Sequence, residues 1–153
     1  SKVILAHNAN WEASKMARLG GVFAGIVQVS VEREHADSLA RDLQDLTDGH
    51  MTVSVRDSEP IDMYEGYASL TLTLAGADHE GIVQSFSRFL AELGVNVEEL
   101  ETELENAPLS GVPLFNATFE LKSPPSLNLK ELKKMLDNLA KELAVDFKLK
   151  ETV

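Results

Sequence analysis

The chain has 153 residues, enough for one ordinary domain or two small ones, and its apolar and charged shares, 44% and 25%, are those of a globular protein. The longest apolar run, Val22 to Val27, is far too short to span a membrane, and no secretory signal is visible. The absence of cysteine excludes disulfides and thiolate metal sites and fits a reducing, cytoplasmic compartment, while a formal charge of −11 removes the cationic footprint that direct nucleic-acid binding uses.

Taken from the front, Val3, Ile4 and Leu5 read as the end of a helix, and Trp11 to Leu19 as a strand. Gly20-Gly21 marks a turn into a second strand, in which Val27, Val29 and Val31 alternate with Gln28 and Ser30. Ala36, Leu39, Leu43 and Leu46 recur at helical spacing and predict a helix stopped near Gly49. Met51, Val53 and Val55 predict a closing strand, after which the charged stretch from Asp57 to Glu65 reads as a linker.

Beyond it, Leu70, Leu72 and Leu74 alternate with Ser69, Thr71 and Thr73, a half-buried strand. Ala75 to Gly81 is a loop. Ile82, Val83, Phe86, Phe89, Leu90 and Leu93 then mark a helix, with Gly94 as its stop. Val97 to Leu104 is a strand whose glutamates at 99, 101, 103 and 105 share one side. That side is either a solvated face or one that meets a basic partner. The turn-rich stretch 106–111 leads to a strand in which Phe115, Ala117, Phe119 and Leu121 alternate with polar residues. After Pro124-Pro125, Asn128 with Glu131 forms a capping signature, and Leu129, Leu132, Leu136, Leu139 and Leu143 form one helical face. Val145, Phe147 and Leu149 close the chain with a short strand.

The same punctuation occurs twice. Asn8-Ala9-Asn10-Trp11-Glu12 faces Gly94-Val95-Asn96-Val97-Glu98 at a distance of 86 residues. The second copy reads β-α-β-β-α-β, the order of the ferredoxin-like plait, and the fold class is therefore α+β with two such plaits in tandem. The domains expected are 1–57, a linker at 58–65, and 66–153. The first copy matches only from the middle of its first helix onward. The expectation is that a complete repeat begins about twenty residues earlier, or that another chain completes this plait.

These residues resemble the ACT-domain family of small regulatory plaits. In the second copy the pattern is a strand, then Asp78-His79-Glu80-Gly81-Ile82, then a helix, then Gly94-Val95-Asn96-Val97. The family's usual loop has Arg-Pro where this chain has His79-Glu80. In the first copy, Asn10 to Gly20 with the stretch Ser14-Lys15-Met16-Ala17-Arg18-Leu19-Gly20, followed by Phe23-Ala24-Gly25, is similar to the tandem-ACT group that contains the glycine cleavage system transcriptional repressor. The resemblance implies an amino-acid-responsive regulator acting through partner proteins. It names neither the ligand nor the direction of regulation.

The loop Asp78 to Ile82 precedes a helix, so its unpaired backbone N–H groups and the helix dipole favour an anion such as a ligand carboxylate. Asp78 either accepts from an α-amino group or merely caps the helix, and Gly81 either admits a ligand to the backbone or merely fits a turn. Asn96 lies at the far end of that helix, too distant for one small amino acid to touch both. A sibling plait packed antiparallel would bring its own asparagine beside the loop. The site expected is thus Asp78, His79, Glu80, Gly81 and Ile82 with Asn10 and Trp11, and Asn96 and Val97 serve the mirror site. The competing reading makes both asparagines turn residues that tolerate the left-handed conformation, and Trp11 a core or rim aromatic.

His7, His35, His50 and His79 have no metal-ligand spacing, and His79 is expected to be solvated. The glycines from Gly20 to Gly25 lack phosphate-loop spacing, and no serine or threonine sits in a nucleophile-elbow pattern, so neither catalysis nor a cofactor is expected beyond a small amino-acid effector. The function expected is a regulatory module with a transcription factor or enzyme subunit as partner. The alternative is an interaction adaptor without a functional pocket, and a homodimer is open under either.

Overall fold

The computed structural model describes residues 1–58 and 62–152, and the chain divides between 60 and 61 into two compact units. The part of the expected linker at 59–61 lies outside the described residues; beyond it Met63 to Gly66 form turns, with Tyr64 and Tyr67 edge-to-face at 5.3 Å.

The first unit runs α1 (Lys2–Ala6), β1 (Asn10–Leu19), β2 (Val22–Ser30) and α2 (Arg33–Gln44). Gly20 and Gly21 both have positive φ, +56° and +83°, the requirement of the two-residue turn whose twist matches an antiparallel hairpin. β1 and β2 accordingly pair from Leu19 opposite Val22 back to Asn10 opposite Ser30. His7 ties the two helices, donating from Nε2 to the Asp42 carboxylate at 2.7 Å while Nδ1 meets the Ser38 hydroxyl at 3.3 Å. Ile4 and Leu39 are the large apolar side chains buried in this unit, among the described residues.

Two expectations fail here. The second helix ends at Gln44 rather than near Gly49, because the Asp48 carboxylate captures the N–H groups of His50 and Met51 in a turn of its own. The segment Met51 to Val55 forms no strand. A strand needs a neighbouring backbone, and this one is instead held locally, by Asp48 N–H to the Met51 carbonyl and Val53 N–H to the Thr47 hydroxyl.

The second unit runs β3 (Ala68–Ala77), α3 (Ile82–Glu92), β4 (Asn96–Glu105), β5 (Leu114–Ser123), α4 (Leu129–Glu142) and β6 (Val145–Glu151). Its sheet has the order β4-β5-β3-β6, antiparallel throughout, which is the ferredoxin-like plait. β3 is central because its period-two pattern turns Leu70, Leu72 and Leu74 to the helices while its backbone pairs with β5 on one side and β6 on the other. Phe86 and Leu90 of α3, Leu132 and Leu136 of α4 and Phe119 and Leu121 of β5 close the core, each 2% exposed or less. Burial of such a side chain stabilises by roughly 1.5–3 kcal/mol. Gly76 is small for cause: a Cβ there would lie 3.0 Å from the Val145 side chain and 3.1 Å from the Ala144 carbonyl, where β6 begins. Asn128 caps α4 by accepting the Lys130 N–H at 2.8 Å.

Candidate functional site

The loop before α3 is built by three restraints. Asp78 N–H bonds the Pro113 carbonyl at 2.8 Å, which anchors the loop to the entrance of β5. His79 spans two carbonyls, with Nδ1 3.0 Å from the Glu80 oxygen and Nε2 2.6 Å from the Leu143 oxygen at the end of α4. Gly81 enters α3 at φ +89°, a left-handed residue with open space where a side chain would be. No side chain caps α3, so Asp78 does not cap it as one reading expected, and the leading N–H groups of α3 face outward without the side-chain acceptor that Asn128 gives α4.

His79 is exposed, as expected, and its ring also lies against two carbonyls. A carbonyl oxygen only accepts, so both ring nitrogens are asked to donate, and only the imidazolium can do so. The Leu143 carbonyl first, then the Glu80 carbonyl and weakly Asp78, push its pKa up from the ordinary histidine value. The ring also sits at the negative end of the α4 dipole, which favours its protonated form. A sequence reading misses this because Leu143 lies 64 residues away.

The second construction is a joint that recurs 86 residues apart. α1 ends with Asn8 at φ +53°, Asn8 N–H to the Leu5 carbonyl and Ala9 N–H to the Ile4 carbonyl at 3.1 Å. α3 ends with Gly94 at φ +70°, Gly94 N–H to the Ala91 carbonyl and Val95 N–H to the Leu90 carbonyl at 2.9 Å. Both are the Schellman stop. The strand that follows then bulges at the same place. Trp11 faces Val29 and Ala13 faces Gln28, leaving Glu12 over; Val97 faces Leu121 and Glu99 faces Glu120, leaving Glu98 over. In each case the asparagine that opens the strand donates its amide N–H to the bulged glutamate, Asn10 to Glu12 at 2.8 Å and Asn96 to Glu98. Ser30 also donates to Glu12, and with Asn10 it holds that carboxyl below its usual pKa.

The expected site residues therefore fall into three places. Asp78, His79, Glu80, Gly81 and Ile82 are contiguous at the head of α3, where Ile82 turns its side chain into the core and can offer only backbone. Asn96 and Val97 lie past the other end of α3, about 16 Å along its axis. Asn10 and Trp11 belong to the first unit, with Trp11 42% exposed. An open depression of about 550 Å³ lies on the second sheet and is lined by Thr71, Thr73, Lys148 and Lys150, none of them an expected site residue. Glu32, Glu34 and His35 bring ligand-type atoms within 4.8 Å of one another, but all three come from one exposed turn at the start of α2. Among the described residues no helix is long and apolar enough to cross a membrane.

No protein-family model matches the chain, and no curated protein matches it. Among solved structures, a protein of unknown function from Galdieria sulphuraria is 33% identical over 99% of this chain and 87% of its own, with a TM-score of 0.83. A candidate glycine cleavage system transcriptional repressor superposes over 99% of this chain and 85% of its own at a TM-score of 0.64, with 18% identity, which is a likeness of fold. An ACT domain protein from Streptococcus pneumoniae covers 55% of this chain and 89% of its own, at a TM-score of 0.46 and 21% identity.

Proposed function

This chain belongs to one family with the Galdieria sulphuraria protein and resembles the tandem ACT-domain group of the glycine cleavage repressors, and from that premise we propose that it is a non-catalytic regulator responsive to a small amino acid. Both units are ACT-type plaits in this reading. The observation that carries it is the joint repeated at Asn8–Glu12 and Gly94–Glu98, which agrees in helix stop, bulge and asparagine bond.

The ligand's carboxylate meets the uncapped N-terminus of α3 at Asp78 to Ile82, and an asparagine of the Asn10 or Asn96 kind, with its neighbour Trp11 or Val97, comes from a sibling unit. Binding acts by favouring one arrangement of units, which requires that the ligand prefer it. Output passes to a protein partner, a transcription factor or an enzyme subunit. The charge of −11 argues against direct DNA contact, and the β1–β2 hairpin exposes Leu19, Val22, Phe23 and Ile26, an apolar surface that suits a protein.

Thermal melting of the chain against the twenty amino acids at millimolar concentration tests this. One or two should raise the melting temperature saturably, because a ligand bound only to the native state must stabilise it. Asn10→Ala and Gly81→Val should each remove that shift while leaving the unliganded protein folded. No shift with any amino acid overturns sensing and leaves the interaction adaptor.

A further inference from the structure

We propose that the open face of the second unit's sheet is where two copies of this chain meet, with β4 of each lying over β6 of the other. This holds whether or not the chain binds an amino acid.

α3 and α4 both pack on the face of the sheet that carries Leu72 and Phe119, so alternation gives the opposite face to the residues between the core positions. The register lays that face out in rows across the four strands. One row runs Glu99, Glu120, Thr71, Lys150, and the next runs Glu101, Thr118, Thr73, Lys148. Each begins with a glutamate on the edge strand β4 and ends with a lysine on the edge strand β6. Strands lie about 4.8 Å apart, so the backbones at the two ends of a row are three spacings, about 14 Å, from each other. Acid and base thus stand at opposite borders of one face. The middle is made largely of threonines, short enough for another sheet to approach to about 10 Å. Thr71 donates its hydroxyl to Glu120 at 2.9 Å, which ties that centre down.

Two such faces fit one another through a two-fold axis that runs along the strands between β5 and β3. That operation turns the sheet over and exchanges its edges while each row stays opposite its own counterpart. Glu101 then stands over Lys148 of the second copy and Glu99 over Lys150 of the second copy, and symmetry makes each pairing twice. A two-fold axis across the strands would instead set β4 over β4 and glutamate over glutamate, so the charges select one orientation. The open depression lined by Thr71, Thr73, Lys148 and Lys150 gives the second copy's glutamates room to enter. A third row, from Glu103 through Asn116 and Ala75 to Asp146, sets acid over acid, and it lies toward one end of the interface, where two twisted sheets crossing at about 30° part. The basic partner that the β4 glutamates suit is therefore this chain's own β6. A dissimilar basic protein would account for the glutamates alone, whereas a second copy accounts for the lysines at the other border as well.

Sedimentation equilibrium of the full chain, from micromolar to near-millimolar concentration, should show a monomer–dimer equilibrium. Lys148→Glu and Glu101→Lys, both at exposed positions, should each weaken it by about tenfold, because each sets like charges together twice across the axis. The two changes move the net charge in opposite directions, so general repulsion between acidic chains would weaken only the first. An equimolar mixture of the two variants, and the chain that carries both changes, should regain the wild-type constant, since acid again faces base. Circular dichroism and recovery in the mixture separate a lost contact from a lost fold. A wild type that stays monomeric throughout overturns the proposal and leaves this face to another protein or to water. Reversals that leave the constant unchanged, or tighter association of Glu101→Lys, put the contact elsewhere and overturn it too, as does a mixture that fails to recover.

Discussion

The two units share one joint, from helix stop to bulged strand, and differ in the core built around it. In the second, β3 pairs on both edges and supplies Leu70, Leu72 and Leu74, and around it the two helices close over Phe86 and Phe119. In the first, among the described residues, β2 pairs with β1 alone, the hairpin is exposed along most of its length, and Met51 to Val55 forms no strand. A local turn is specified by the few residues within it. A core is specified by strands and helices distant in sequence, as β3, β5, α3 and α4 are in the second unit.

The comparison can be broken first at the core. Phe119→Ala should cost the second unit about 3–5 kcal/mol, seen as a lowered urea midpoint by circular dichroism. Leu39→Ala should cost the first unit about 2 kcal/mol, the low end for such a change because few buried neighbours surround the side chain, read through the fluorescence of Trp11, the chain's single tryptophan. Equal costs would mean that the first unit's packing is not the poorer. The joint is next. Gly94→Ala places a Cβ at φ +70° and should lose about 1 kcal/mol, whereas Asn8→Gly relieves a milder strain and should gain a few tenths. If both changes destabilise alike, the two stops are not equivalent.

The smallest effect is that of pH. The folded His79 has a raised pKa, so its contribution is fully present below the ordinary histidine value and is lost as pH rises through the higher folded one. His79→Gln should flatten that part of the stability profile on the neutral-to-alkaline side. Glu12 has the opposite sign: its contribution is present above the ordinary carboxyl value and fades as pH falls through the lower folded one. A profile of His79→Gln that matches the wild type would show that the ring does not bridge the two carbonyls.

Much of the fold was legible because it rests on period. The alternation of Leu70, Leu72 and Leu74, the leucine face of α4 and the stop at Gly94 all appear in the structure as read. What could not be read depends on partners rather than on the segment itself. Met51, Val53 and Val55 alternate as a strand should, but alternation does not say which backbone a segment pairs with. The bulges at Glu12 and Glu98 come from the register of the opposite strand, and the tie from His79 to Leu143 comes from tertiary approach. Of the candidate site, sequence pattern marks the loop before α3 and the asparagine that opens each bulged strand. The bonds from those asparagines to Glu12 and Glu98 are not legible in the sequence, since an exposed carboxylate two residues on looks like any solvated side chain.

The double pairing of β3 has a dynamic consequence. Its amide protons are bonded to β5 on one side and β6 on the other, so they cannot trade with deuterium by fraying of an edge. They exchange only when the whole plait opens, and their uptake rate is a clock for the global unfolding of that unit. Thr102 and Leu104, on the border strand β4, can open singly and should label long before Leu72.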